Sequence, residues 1–125
     1  MIFILFVIIA SNAALFGQAK YNHPELDWYT FETKNFKIHY HDGTEVSARE
    51  AATVAEMIFP KITDFYDFIP GTKTDIILKD TVDYLNGAAY YHDNTIVIWA
   101  SPLNFELRGS HRWLQNVITH EYAHI

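Results

Sequence analysis

One long apolar stripe, set between short strand-like runs, limits the possible folds of this 125-residue chain more than any other feature. Its residues recur at spacings of three and four, so on a helix they lie along a single face. The positions are Ala51, Ala55, Ile58, Ile62 and Phe65. A helix with one apolar face must bury that face against another element. The chain therefore predicts a long helix packed on a sheet.

The ends of this helix are marked by residues that cap or break helices. Thr44 and Ser47 are both suitable N-caps, and Ser47 has Glu50 three residues later, as in a capping box. Pro60 lacks a backbone N–H and crowds the preceding turn, which predicts a kink or a restart near that point. The helix is expected to end before the Pro70-Gly71 pair.

Short runs rich in β-branched and aromatic residues predict the strands. Residues 28–40 alternate as in a strand pair or a bent strand, and residues 74–78 fit a buried central strand. Residues 87–91 and 95–99 form a hairpin joined by His92-Asp93-Asn94. Ser110 can cap a last helix. The expected fold class is α+β, with a small mixed β-sheet packed on the long helix from about Thr44 and followed by the helix from about Ser110.

Residues 1–19 carry no charged side chain and run apolar from Ile2 to Ala10. Gly17 and Ala19 place small residues where signal peptidase requires them. We interpret residues 1–19 as a signal peptide and residues 20–125 as one domain of an exported protein, periplasmic or extracellular. The basic n-region is missing, so an uncleaved membrane anchor stays open.

Composition excludes several classes of function. The formal charge of −6 and the absence of any run of Lys or Arg give no electrostatic footprint for nucleic acid. The chain has no cysteine, which rules out disulfides and thiolate metal sites. Histidines and carboxylates are then the available metal ligands.

The chemistry lies in His120-Glu121-Tyr122-Ala123-His124, which matches the pattern His-Glu-x-x-His. Four residues are roughly 400° of helix rotation, so both imidazoles share one face about 6 Å apart. One zinc ion can bridge them and keep a position for water, whose pKa falls to about 7 on zinc. Glu121 is then the general base that takes the proton from this water. Peptide-bond hydrolysis is the reaction that this arrangement serves best.

With this motif the chain resembles the gluzincin zinc metallopeptidases over residues 28–125. Those proteins place a small mixed sheet and a long helix before the helix that bears His-Glu-x-x-His, as in the thermolysin-like N-terminal subdomain. In thermolysin-like members an edge strand, often with a small residue after Asn, pairs with the substrate backbone and turns into a second strand. The resemblance places that edge strand after Asn86 and implies that the substrate-binding residues are Gly87, Ala88, Ala89 and Tyr90.

More narrowly, the chain is similar to the peptidase-MA-like domains of exported bacterial proteins, which precede a β-propeller of the Tol-associated kind. The resemblance implies one zinc ion, a peptide or protein substrate and a propeller further along the full-length chain. Gluzincins take a third ligand, usually Glu, from a helix beyond the second His. Here that ligand is expected downstream of Ile125, so the domain is interpreted as truncated and the 125-residue piece as inactive by itself.

Other interpretations of the same residues stay open. The main alternative is a non-catalytic binding or docking module of an envelope protein that retains the zinc motif, and a zinc hydrolase of another substrate is a third. His39 and His41 share a strand face but fit ordinary strand-end polar residues better than a metal site. His92-Asp93 likewise fits ordinary turn residues better than a substitute zinc ligand. Further expectations are that Trp113 and Val117 pack in the core or wall the cleft, that one of Tyr90 and Tyr91 packs inward, and that Glu56 lies on a solvated helix face.

Overall fold

The computed structural model describes residues 23–81, 86–100 and 113–125. These form five strands, a short 3-10 turn and two helices. The elements are β1 (Trp28–Glu32), β2 (Phe36–His41), α1 (Glu45–Tyr66), β3 (Thr74–Lys79), β4 (Asn86–Tyr90), the 3-10 turn (Tyr91–Asp93), β5 (Thr95–Trp99) and α2 (Trp113–Tyr122). The expected signal peptide and the expected Ser110 cap lie outside the described residues.

The five strands form one mixed sheet in the order β1-β2-β3-β5-β4. β2, β3 and β5 run parallel in its centre, and β1 and β4 pair antiparallel at the two edges. α1 connects the parallel neighbours β2 and β3, as parallel strands require a long crossover. The expected strand pair, central strand and hairpin are all present, and the hairpin places β4, not β5, at the edge of the sheet that the described strands form.

One core lies between the sheet and both helices. α1 packs against β2 and α2, whereas α2 packs against β4, β5 and α1. Alternate strand residues face this core, and they are Phe36, Ile38, Ile76, Leu78, Ile96 and Ile98. α1 presents mostly alanines, at positions 48, 51, 52 and 55, and these small side chains let the helix approach the sheet closely. The long helix therefore packs on a mixed sheet, as the apolar stripe predicts.

The start of α1 differs from the predicted capping box. The N-cap is Thr44, and Ser47 lies inside the helix. The Thr44 side chain makes no cap hydrogen bond to the helix. Its buried hydroxyl donates to the His41 carbonyl at 2.8 Å and accepts from the His41 N–H at 3.1 Å, so it closes the turn that leads out of β2. Tertiary burial of Thr44 therefore decided between the two possible caps.

α1 ends before the Pro70-Gly71 pair, as predicted, but its far end corrects two other expectations. The helix continues through Pro60 to Tyr66 without a restart. Phe65, expected on the buried stripe, is 79% exposed. A helix of 22 residues is roughly 33 Å long, whereas strands of five or six residues span about 20 Å. The sheet therefore covers the first part of the stripe and leaves the last turn beyond its edge.

Glu56 is a further correction, because it does not lie on a solvated face. Its carboxylate accepts hydrogen bonds from the Thr33 hydroxyl at 2.6 Å and from the backbone and side-chain N–H groups of Asn35, both at 2.7 Å. Thr33 and Asn35 belong to the turn between β1 and β2. These hydrogen bonds thus connect α1 to the turn between β1 and β2. Burial alone raises the pKa of a carboxyl, but these hydrogen bonds outweigh it and hold the pKa of Glu56 below its usual value.

No helix in the described part of the chain combines the length and apolarity needed to cross a bilayer.

Candidate functional site

The motif lies at the C-terminal end of α2. His120, Glu121 and Tyr122 are helical, and Ala123 and His124 continue as a turn. The His124 N–H donates to the Glu121 carbonyl at 3.1 Å, a three-residue step, whereas the Ala123 N–H keeps the four-residue bond to Thr119. The final turn is therefore tighter than an α-helix, as is common at helix ends.

The two imidazoles nevertheless converge. The Nε2 atoms of His120 and His124 lie 3.3 Å apart, and the ring planes are inclined at 80°. Zinc–nitrogen bonds of about 2.0–2.1 Å in a tetrahedral site place two nitrogen ligands about 3.3–3.4 Å apart. The separation therefore matches two neighbouring ligands of one zinc ion. Both side chains are exposed, so their nitrogens are accessible.

Glu121 differs from His120 and His124 in being buried, with 8% of its surface exposed. It faces the inner side of β4. A Cβ atom built on Gly87 would stand 2.8 Å from the Glu121 Cγ and 2.9 Å from its Oε1. The carboxylate therefore occupies the space that a side chain at position 87 would need.

The structure brings one of the four expected substrate-binding residues next to the motif. Gly87 contacts Glu121, and Ala89 shares the inner face of β4 with it. Ala88 and Tyr90 lie on the opposite face of the strand, and Tyr90 is half exposed. β4 pairs with β5 along one side, and its other side is the edge of the sheet. Among the described residues, a strand of small residues therefore borders the motif, and its outer edge is unpaired.

The histidines of β2 have structural partners. His39 bonds the Thr30 hydroxyl at 2.8 Å and Asp75 at 2.7 Å, and it links β1, β2 and β3. His41 is buried: its Nδ1 donates to the Asp42 carbonyl, and its Nε2 accepts from the Asp80 N–H at 3.0 Å. Both ring nitrogens of His41 are therefore engaged in hydrogen bonds within the protein. The contacts of His39 and His41 fit ordinary strand-end polar residues better than a metal site.

The exposed fractions of their side chains settle how Tyr90 and Tyr91, and then Trp113 and Val117, are placed. Tyr90 and Tyr91 are both exposed, because Tyr91 belongs to the 3-10 turn and the alternation of the strand ends before it. The expectation that one packs inward is wrong. Trp113 and Val117 pack against the core, as the simpler interpretation has it, and the Val117 Cγ2 also reaches the space above Gly87.

Tyr122, at the first variable position of the motif, lies in the core against Phe36 and Phe59 at ring-centroid distances of 5.4 and 6.0 Å. Its hydroxyl is buried without a hydrogen-bond partner of good geometry among the described residues. The neighbouring Thr74 hydroxyl donates instead to Asn94 at 2.7 Å. Burial raises the pKa of Tyr122 to about 12, and the nearby Thr74 opposes that shift only in part. The residue anchors α2 in the core.

Sequence reasoning missed a cavity of about 310 Å³ beside His124. Its walls come from the end of α1 and the segment after it, and they include Ile62, Tyr66, Phe68 and Pro70. These residues lie far from the motif along the chain.

The described residues contain no group of three His, Asp or Glu side chains arranged to hold a metal ion. The pair His120 and His124 is thus an incomplete set of ligands within these ranges, and neither His92 nor Asp93 completes it. Comparison of the chain with protein-family models and with curated proteins finds no match in either set.

Proposed function

We propose that this protein is a zinc-dependent peptidase of the gluzincin type, secreted to the periplasm or beyond. The observation that carries the proposal is the 3.3 Å separation of the His120 and His124 Nε2 atoms, which equals the edge of a tetrahedral zinc site. Two imidazoles suit zinc in a chain that has no thiolate to offer. The proposal requires a third ligand from residues outside the described ranges.

When bound, zinc supplies Lewis-acid chemistry and lowers the pKa of water enough to give a nucleophile near neutral pH. The chain's own residues then have distinct roles. His120 and His124 hold the ion with exposed nitrogens. Glu121 accepts a proton from the attacking water as general base and passes it to the leaving amine. Its burial against β4 restricts its side-chain rotation, and a base held in place is more effective than one that must be ordered during the reaction.

The proposed substrate is a peptide in extended conformation along β4. A sheet edge carries unpaired backbone N–H and C=O groups, and an extended peptide can add to it as a further strand. Gly87 has no side chain, and Ala88 and Ala89 carry only methyl groups, so β4 leaves room for the backbone of such a peptide. Because Gly87 also contacts Glu121, a peptide on this edge lies beside the proposed base.

The deciding experiment compares Glu121→Gln with the wild type in the full-length, zinc-loaded protein. Loss of the base should lower kcat/KM by about 100-fold or more, while the zinc content measured by atomic emission stays at one ion per chain. Glu50→Gln is the matched control, since Glu50 is an exposed helical glutamate on α1.

Each outcome separates the alternatives. A collapse of the zinc content in Glu121→Gln would make Glu121 a ligand and contradict its role as base. Retained zinc without peptide hydrolysis in the wild type would favour the non-catalytic docking module. Hydrolysis of esters or amides other than peptides would favour a different zinc hydrolase.

A further inference from the structure

We propose that Gly87 is a positioning residue for Glu121, and that the missing side chain at position 87 sets where the carboxylate stands. The inference rests on the proposed function and goes one step beyond it, because it assigns Gly87 a task toward the enzyme's own base besides any contact with substrate. The contact between Gly87 and Glu121 carries the argument.

The strand side of this contact is fixed. Gly87 is paired with Ile98 of β5, and the Ile98 side chain is fully buried in the core. The Gly87 N–H also donates to the Asn86 side-chain oxygen at 2.9 Å. β4 cannot move away from α2 without breaking its pairing with β5. The position of the Gly87 backbone is therefore determined by the sheet.

The helix side is equally crowded. A Cβ on Gly87 would stand 2.6 Å from the Val117 Cγ2 and 2.8–2.9 Å from two atoms of Glu121. Carbon atoms pack best at about 3.5–4.0 Å, so a methyl group at position 87 requires both Val117 and Glu121 to shift. Val117 is β-branched and strongly prefers one rotamer in a helix. Glu121 has three rotatable side-chain bonds and keeps a small exposed fraction, so its carboxylate is the group that is displaced furthest.

The expected consequence is selective. His120 and His124 are exposed, whereas the contact with Gly87 is buried. A side chain at position 87 therefore displaces the base and leaves the two imidazoles in place. Turnover should fall while metal binding persists, which separates this role from a general loss of structure.

The test uses Gly87→Ala in the full-length, zinc-loaded protein, with Gly71→Ala as the matched control. A methyl group added at Gly71 would meet no atom of the described residues within 4 Å, and Gly71 lies outside the proposed site. We expect Gly87→Ala to lower kcat by about 10- to 100-fold with KM changed by less than about twofold and zinc content unchanged. Gly71→Ala should match the wild type.

A double variant, Gly87→Ala with Val117→Ala, separates the effect on Glu121 from the effect on helix–strand packing. In the Val117→Ala background the closest clash is removed, so Gly87→Ala presses on Glu121 alone. If the loss of kcat persists in the double variant, Glu121 is the residue displaced. Recovery of kcat in the double variant would show that only helix–strand packing was disturbed, and it would overturn the inference.

A structural readout does not depend on activity. The zinc-free wild type should show a nuclear Overhauser effect between the Gly87 Hα and the Glu121 Hγ protons. The effect should be lost for the corresponding protons of Gly87→Ala, whereas an unchanged Glu121 position would overturn the inference. A wild type without peptide hydrolysis would defeat the proposed function, whereas an active wild type with an equally active Gly87→Ala would defeat this inference alone.

Discussion

The Nε2 atoms of His120 and His124 lie 3.3 Å apart although only His120 belongs to a regular helix. The chain between them passes from a four-residue to a three-residue hydrogen-bonding step. The pairing of the imidazoles therefore depends on a terminal turn that has few backbone hydrogen bonds of its own. A metal ion bound by both rings would add a cross-link to this turn.

Zinc binding should therefore depend on both imidazoles and order the turn that carries His124. We expect His120→Ala and His124→Ala each to weaken zinc binding by at least about tenfold in isothermal titration calorimetry, because either change leaves a single imidazole. His92→Ala serves as the control. An equal loss of affinity in that variant would make His92 a ligand and contradict the site as described.

The 125-residue chain by itself should retain zinc weakly and show no measurable peptidase activity. The described residues bring two imidazoles together, and the third protein ligand that a catalytic zinc site uses is expected downstream of Ile125. The measurement is hydrolysis of a fluorogenic peptide together with zinc content after dialysis. Clear turnover by this chain, abolished by a chelator, would refute the expectation.

Glu56→Gln should destabilise the fold at neutral pH by about 1–3 kcal/mol, because hydrogen bonds to a charged acceptor contribute that much. The folded-state pKa of Glu56 lies below its unfolded value of 4.5. The stabilisation is then present above pH 4.5 and is lost as the pH falls through the folded pKa. Urea unfolding at pH 7 measures the loss of stability in the variant, and unfolding in acid measures how the Glu56 contribution depends on pH. Asp64→Asn, on the exposed face of α1, should change stability by less than about 0.5 kcal/mol.

Tyr122→Phe should leave stability unchanged or raise it by about 1 kcal/mol, because the buried hydroxyl is dehydrated and has no well-placed hydrogen-bond partner among the described residues. The pKa of Tyr122 is raised from 10 to about 12 in the folded state. The wild type should therefore lose stability as the pH rises from 10 toward 12, and the variant should lose less. Thermal unfolding across this range measures the difference. Destabilisation by more than about 1 kcal/mol would reveal a hydrogen bond to the hydroxyl.

Much of the fold follows from local pattern. Alternation in residues 28–40 and the short β-branched, apolar run at 74–78 predict strands, and the spacing of Ala51, Ala55 and Ile58 predicts the buried face of α1. The end of the stripe does not follow, because Phe65 obeys the same spacing and is exposed. Periodicity describes which side chains share a face, but the extent of the sheet decides how much of that face is covered.

The sequence by itself determined that His120 and His124 share one side of the chain, since four residues are about one helical turn. Their 3.3 Å approach depends also on the tighter turn that follows α2. Only the tertiary structure decided that Glu121 is buried against Gly87 and that Glu56 holds the β1–β2 turn. The physical reason is distance along the chain. Helical geometry is local, whereas these contacts join residues far apart in sequence, and only the packing of sheet and helices brings them together.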